Sequence, residues 1–148
     1  MTKTRCSWCT GEAIYQDYHD LEWGVPLHDD RALFELLCLE GQQAGLSWIT
    51  VLKKREHYRR RFAGFDPQQI AHFSDEELEQ RLLDPGLIRN RLKIYAIRKN
   101  ARAMLALEQE LGSFSDYLWH FTGGQIQSTI AEIPSSSPAS DAMAKALK

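Results

Sequence analysis

No stretch of the 148 residues is apolar for long enough to cross a bilayer, which takes about 20, and the opening MTKTRCSWCTGEA has no apolar secretion signal. Those absences predict a cytoplasmic protein with no membrane partner. Cysteine is scarce and odd in number, Cys6, Cys9 and Cys38, in a chain large enough to form a core unaided, which argues against a disulfide framework. Thiol and metal chemistry stay open. The β-branched residues never alternate over a strand's length, there is no internal repeat, and the expected fold class is all-α. A basic excess is missing as well: 18 Lys and Arg against 20 Asp and Glu give a net charge of -2, so the sum advertises no polyanionic partner. What remains, 43% hydrophobic and 26% charged, is the make-up of one globular domain.

The charge is unevenly placed. Residues 41–64 hold 6 bases and 1 acid, and residues 85–107 hold 6 bases and no acid, while 1–40 and 65–84 are acidic. Two cationic blocks therefore sit in an anionic chain.

Helix signals follow one another. After an aromatic opening (Trp8, Tyr15, Tyr18, Trp23) and the breaker Gly24-Val25-Pro26, Asp29 or Asp30 caps a helix ending near Gly45, with Leu33, Leu36, Leu37 and Ala44 as its apolar stripe. Ser47 caps a basic amphipathic helix from Trp48 to Phe62. Asp66-Pro67 opens a short helix to about Phe73, and Ser74-Asp75-Glu76-Glu77 is a capping box for one to about Leu83. Asp84-Pro85-Gly86 stops it. A long helix follows from about Arg89 to Gly112, then one capped by Ser113 or Ser115. PSSSPAS is a loop whose Ser140 caps a last helix; it reaches Lys148 after two turns with no stop signal, so the chain is expected to be cut there.

Four groups of residues could carry chemistry. Glu40 falls within the stripe of its helix, near a C-terminus where the macrodipole favours cations. It is either a solvated helix-end carboxylate or a pocket carboxylate for a cationic ligand. Trp8, Tyr15, Tyr18, Trp23 and Trp48 flank it in sequence, as core or as the walls of a receptor for a flat, positively charged heterocycle. The turn at Gly86, followed by Arg89, Arg91 and Lys93 at a helix start, offers backbone N–H groups and cations to a phosphate chain, or is a solvated cationic face. Cys6-x-x-Cys9, with His19 ten residues on, is indecisive, because a closed zinc site needs four ligands and no second CxxC exists.

YHDLEWGVP (18–26) followed by LCLEGQQAGLSWITVLKKRE (37–56) closely resembles the DNA-3-methyladenine glycosylase I family of bacterial alkylation-repair enzymes, within the helix-hairpin-helix superfamily. The resemblance continues through FDP (65–67), GLIRNRLKI (86–94), NARA (100–103) and IPSSSPASDAMAKALK (133–148), nearly the whole chain. It implies a helix-hairpin-helix glycosylase fold in one domain, with an N-terminal metal-ligand segment (about 1–28) and a DNA-binding hairpin (about 82–94). It implies base flipping and hydrolysis of the N-glycosidic bond of 3-methyladenine in alkylated double-stranded DNA, without lyase action since no lysine nucleophile is indicated. By the same resemblance Glu40 is the catalytic pocket carboxylate, and Trp48, Tyr18, Trp23, Trp8 and Tyr15 surround the base. Leu46 enters the vacated stack, and Gly86, Arg89, Arg91 and Lys93 grip DNA.

The family also carries a structural zinc. Cys6 and His19 match the first two ligands; the other His and Cys are expected from beyond residue 148, with Cys9 a neighbouring thiol. A monomer is expected, with free 3-methyladenine as product. The competing readings are a non-catalytic helical DNA-binding or damage-sensing module, and a thiol or metal-transfer protein built on Cys6-x-x-Cys9.

Overall fold

The structure is a computed structural model and describes residues 4–125 and 136–148. Among them all regular structure is helical: α1 (Ala13–Leu21), α2 (Asp30–Gln42), α3 (Trp48–Arg61), α4 (Pro67–Ala71), α5 (Asp75–Leu82), α6 (Arg91–Leu111), α7 (Phe114–Trp119) and α8 (Pro138–Ala146). The all-α expectation holds. No helix among the described residues is long and apolar enough to cross a membrane.

Local chemistry sets most of the ends. The Asp29 carboxylate accepts the Ala32 N–H at 2.8 Å to start α2, and Asp66 does the same for Gln68 before Pro67 of α4. The capping box at Ser74 is complete, with Glu77 reaching back to the Ser74 N–H. Three ends differ from expectation. Ser47 precedes α3, but its hydroxyl pairs with the Thr50 hydroxyl rather than with the backbone. The long helix starts at Arg91 because Asn90 caps it through the Lys93 N–H, two residues later than expected. The last helix is capped by Ser137, with Ser140 as the returning partner, since Pro138 suits the first turn. The beginning of the tail motif, 133–135, lies outside the described residues.

Helix α1 has no counterpart in the sequence reading. Its inward residues are Tyr15 and Tyr18 rather than aliphatics, and its N-terminus has no side-chain cap.

Helix α6 is the spine. Ile94, Ile97, Ala101 and Met104 recur along one face and pack against α2, α4, α5 and α7. Around them Phe34, Tyr58, Phe62, Phe65, Ile70 and Leu78 complete a core with almost no exposure. Cys38 belongs to it: burial pushes its thiol up to about 12, so it packs as a small apolar side chain. Asp30 joins α2 to α7, accepting from the Ser113 hydroxyl and the Ser115 N–H.

The core-facing stripe of α2 is not the expected one. Phe34, Cys38, Leu39 and Gln42 are buried, whereas Leu33, Leu36 and Leu37 are only partly so and line a surface cavity. Three residues of the expected stripe share a face, but it lines that cavity rather than the centre of the core, and the fourth, Ala44, lies exposed beyond the end of α2.

Candidate active site

Glu40 shares the cavity-facing side of α2 with Leu33, Leu36 and Leu37, in a depression of about 470 Å³ walled also by Pro26, Leu118 and Met143. Its side chain is exposed, and among the described residues no cation or hydrogen-bond donor pairs with it. Enough protein surrounds it for burial to push its carboxyl above the ordinary glutamate value. A second cavity of about 200 Å³ adjoins the first across Val25, Pro26, Leu27 and Leu36, with Tyr18 and Trp48 in its wall. Burial, with the charges of Glu40 and Glu22 behind it, raises the Tyr18 phenol, so Tyr18 stays a neutral donor within reach of Glu40's field.

The aromatic residues singled out in the sequence form one connected group. Tyr18 lies 5.5 Å from Trp48, ring centre to ring centre, and Trp8 meets Tyr15 at 5.1 Å, Tyr18 at 6.4 Å and Trp23 at 5.4 Å. Trp48 is the buried member, at 9% exposure, while Trp8 and Trp23 are exposed at 37% and 40%. The Trp48 Nε1–H is buried and has no acceptor among the described residues, an uncommon state for a donor.

Beyond α2 the chain turns through Gly45, whose φ of 77° suits glycine, and presents Leu46 at 41% exposure. An apolar side chain thus stands out beside the C-terminal end of the helix that carries Glu40.

The hairpin between α5 and α6 is anchored on α3. Asp84 accepts the His57 Nε2–H at 2.7 Å and the Gly86 N–H at 2.8 Å. Arg61 Nε lies 3.0 Å from the same carboxylate as an ion pair, though its direction is too poor for a hydrogen bond. Burial alone would raise the Asp84 carboxyl; the His57 and Gly86 hydrogen bonds and the His57 and Arg61 charges outweigh it and hold it below its ordinary value. Gly86 lies close against the imidazole, where an added Cβ would collide with the ring.

The cations are more fully paired than their sequence positions suggest. Arg91 pairs with Glu79, and the Lys93 ammonium donates to the carbonyls of Gln42 and Ala44. In the other block Lys53 pairs with Glu12, Arg55 with Glu22, and Arg59 with Glu35 and Glu56. Arg89 is exposed and unpaired among the described residues. The alternation of basic and acidic segments is thus largely an internal pairing scheme, a role that segment counts did not reveal.

Cys6 and His19 come together: the Cys6 N–H reaches His19 Nε2 at 3.4 Å. His19 Nδ1–H donates to Asp20 at 3.0 Å, which leaves Nε2 with the lone pair, and Arg5 holds Asp20 from the other side. Cys9 is fully buried, with its thiol against the Cys6 carbonyl. Among the described residues no group of three or more His, Cys, Asp or Glu is arranged to hold a metal.

Sequence reasoning missed His57, Asp84, Gln42 and Tyr58. Asp84 was visible only as a helix stop, and nothing in sequence marked Gln42 as buried or either residue as partnered.

A family model described as methyladenine glycosylase matches residues 8–148. The DNA-3-methyladenine glycosylase 1 of Escherichia coli strain K12 is 53% identical over 148 residues, spanning 97% of this chain and 79% of that protein. A crystal structure of a 3-methyladenine DNA glycosylase I superposes with a TM-score of 0.94 at 57% identity, over 97% of this chain and 81% of the other. A Staphylococcus aureus 3-methyladenine DNA glycosylase I, solved for the structural basis of 3-methyladenine recognition, gives 0.92 at 36% identity, over 97% and 78%.

Proposed function

This chain belongs to the methyladenine glycosylase family, and on that footing we propose that it hydrolyses the N-glycosidic bond of 3-methyladenine in alkylated DNA, with Glu40, Tyr18 and Trp48 as the base pocket. The observation that carries the site assignment is the unpaired Glu40 carboxylate in one cavity and the Tyr18–Trp48 wall of the cavity adjoining it, with the Glu40 charge felt at Tyr18. A cationic purine supplies what both lack. Its charge compensates a carboxylate that burial disfavours, and its ring offers the aromatic wall a flat, electron-poor partner. An acceptor on the base or on a bridging water also satisfies the buried Trp48 donor.

The division of labour follows from the leaving group. The alkylated base departs readily because it already carries positive charge, so little acid catalysis is asked of the protein. Eversion of the base, with Leu46 filling the stack, brings it to Glu40, and Glu40 favours the positively charged, oxocarbenium-like centre over which water attacks. No lysine lines either cavity among the described residues, in keeping with hydrolysis rather than a lysine-bound intermediate. Trp8, Tyr15 and Trp23 extend the wall outward, and Gly86 and Arg89 meet the phosphate chain.

A structural zinc on Cys6 and His19 is part of the proposal. The His19–Asp20 bond turns Nε2 toward Cys6, whose N–H reaches it, so the two residues would supply two of the ligands. Bound there, the ion would tie the N-terminal segment down and supply no chemistry to the base. Monomeric action in the cytoplasm completes the reading.

The test is incubation of methylated duplex DNA with this chain and chromatography of the released bases. Release of 3-methyladenine is expected. Salt-dependent DNA binding with no base release would overturn the reading in favour of a binding module.

A further inference from the structure

Gln42 is 2% exposed, an unusual place for an amide, and both polar atoms of its side chain have a partner. Its Oε1 accepts the Tyr58 O–H at 2.9 Å, and its Nε2 donates to the Lys93 carbonyl at 2.9 Å. Burial pushes the Tyr58 phenol up to about 12, so it remains a donor, and its oxygen accepts the Ile88 N–H at 3.1 Å. The Lys93 ammonium returns to α2, donating to the carbonyls of Gln42 at 2.9 Å and Ala44 at 2.5 Å. Lys93 is thus bonded directly to residues 42 and 44 at the end of α2, and Ile88 is joined to Gln42 through the Tyr58 hydroxyl.

The ends of these linked bonds matter. Glu40 lies two residues before Gln42 on the same helix, and Leu46 two residues after Ala44. An ammonium at a helix C-terminus satisfies carbonyls that have no helical partner and complements the macrodipole, so Lys93 has a strong internal use. Only the Tyr58–Gln42 bond is fully buried; the Lys93 bonds are part-buried or exposed, and together the linked bonds favour one geometry. The core already joins α2 to α6 through apolar contacts, which fix proximity; the hydrogen bonds additionally fix register along the two chains.

We infer that Lys93, with Gln42 and Tyr58, is a positioning residue for base excision rather than a phosphate ligand, locking the hairpin in register with the helix end that carries Glu40 and Leu46. Resting on the glycosylase reading, it assigns the network the task of making the backbone grip and the base pocket address the same nucleotide. Misplacement of about 1 Å in such an arrangement costs up to roughly a hundredfold in rate.

The test compares Lys93→Met with the unmodified chain in three measurements. Binding of free 3-methyladenine, followed by tryptophan fluorescence, is expected to stay unchanged, because the pocket is intact. The salt dependence of duplex binding is expected to keep its slope. Single-turnover excision from methylated duplex at saturating protein is expected to fall roughly tenfold to a hundredfold, with Lys93→Arg recovering part of it. A slope shallower by about one, with excision at saturation intact, would make Lys93 a phosphate contact and overturn the inference. Loss of free-base binding in proportion to excision would overturn it too, as a merely structural role. Should Lys93→Met not fold, Tyr58→Phe carries the same three measurements. Failure of the unmodified chain to release any base would instead sink the glycosylase reading, and this inference with it.

Discussion

Two carboxylates, Glu40 in the wall of the α2 cavity and Asp84 at the hairpin, are treated in opposite ways. Asp84 gathers a histidine, an arginine and a backbone N–H, and its carboxyl is held below its ordinary value. Glu40 gathers no partner among the described residues, and its carboxyl is pushed up. The first carboxylate is spent on structure: it holds a loop against α3. The second is left with unused capacity in a cavity wall, at some cost to the folded state, as expected where a ligand is to supply the compensation.

The largest expected effect is on catalysis. Glu40→Gln should lower single-turnover excision by roughly a hundredfold to a thousandfold, the scale of removing one electrostatic stabiliser of a transition state, while the melting temperature stays equal or rises. An unchanged excision rate would end the contrast. Asp84→Asn should do the reverse, costing about 1–3 kcal/mol of stability in denaturant unfolding, since His57 and Arg61 lose their shared acceptor charge. Excision per folded molecule, at saturating protein, should change far less than in Glu40→Gln.

Gly86→Ala sharpens the hairpin side. The new methyl would collide with the His57 ring, and overpacking of this kind costs about 1–3 kcal/mol. The same change in a His57→Ala background should cost clearly less; equal costs in both backgrounds would show that the close approach is unimportant.

The smallest effect is in the pH dependence, where the two carboxylates differ in sign. Asp84 has a depressed folded-state pKa, so its contribution is present above the ordinary aspartate value and is lost as pH falls through the depressed one. Glu40 has a raised folded-state pKa, so its ionised form costs stability at neutral pH and that cost is relieved as pH falls through the raised value. Asp84→Asn should therefore lie below, and Glu40→Gln at or above, the parent chain in neutral-pH unfolding. Both should converge on it in acid. Differences of the same sign at neutral pH would contradict the assignment.

The same contrast explains what could be read in advance. Asp29, Asp66, Ser74 and Ser113 announce helix starts because a cap needs only a few consecutive residues. Glu40 was legible as a pocket residue because its helical phase puts it with Leu33, Leu36 and Leu37, even though that stripe faces a cavity instead of the core centre. Arg91 and Lys93 were legible as cations, but their internal partners were not, since Glu79 and the carbonyls of Gln42 and Ala44 come from other elements. Helix α1 was missed because aromatics fill the inward positions where aliphatics make the usual signal.

The sequence by itself determined the helical class, most helix ends and the family, and named the aromatic and carboxylate residues of the candidate site, all properties of neighbouring residues or of a pattern carried along the chain. Only the tertiary structure decided which charges are free and which are spent. A carboxylate's energy depends on what other elements bring within about 4 Å of it, an arrangement that no local pattern encodes.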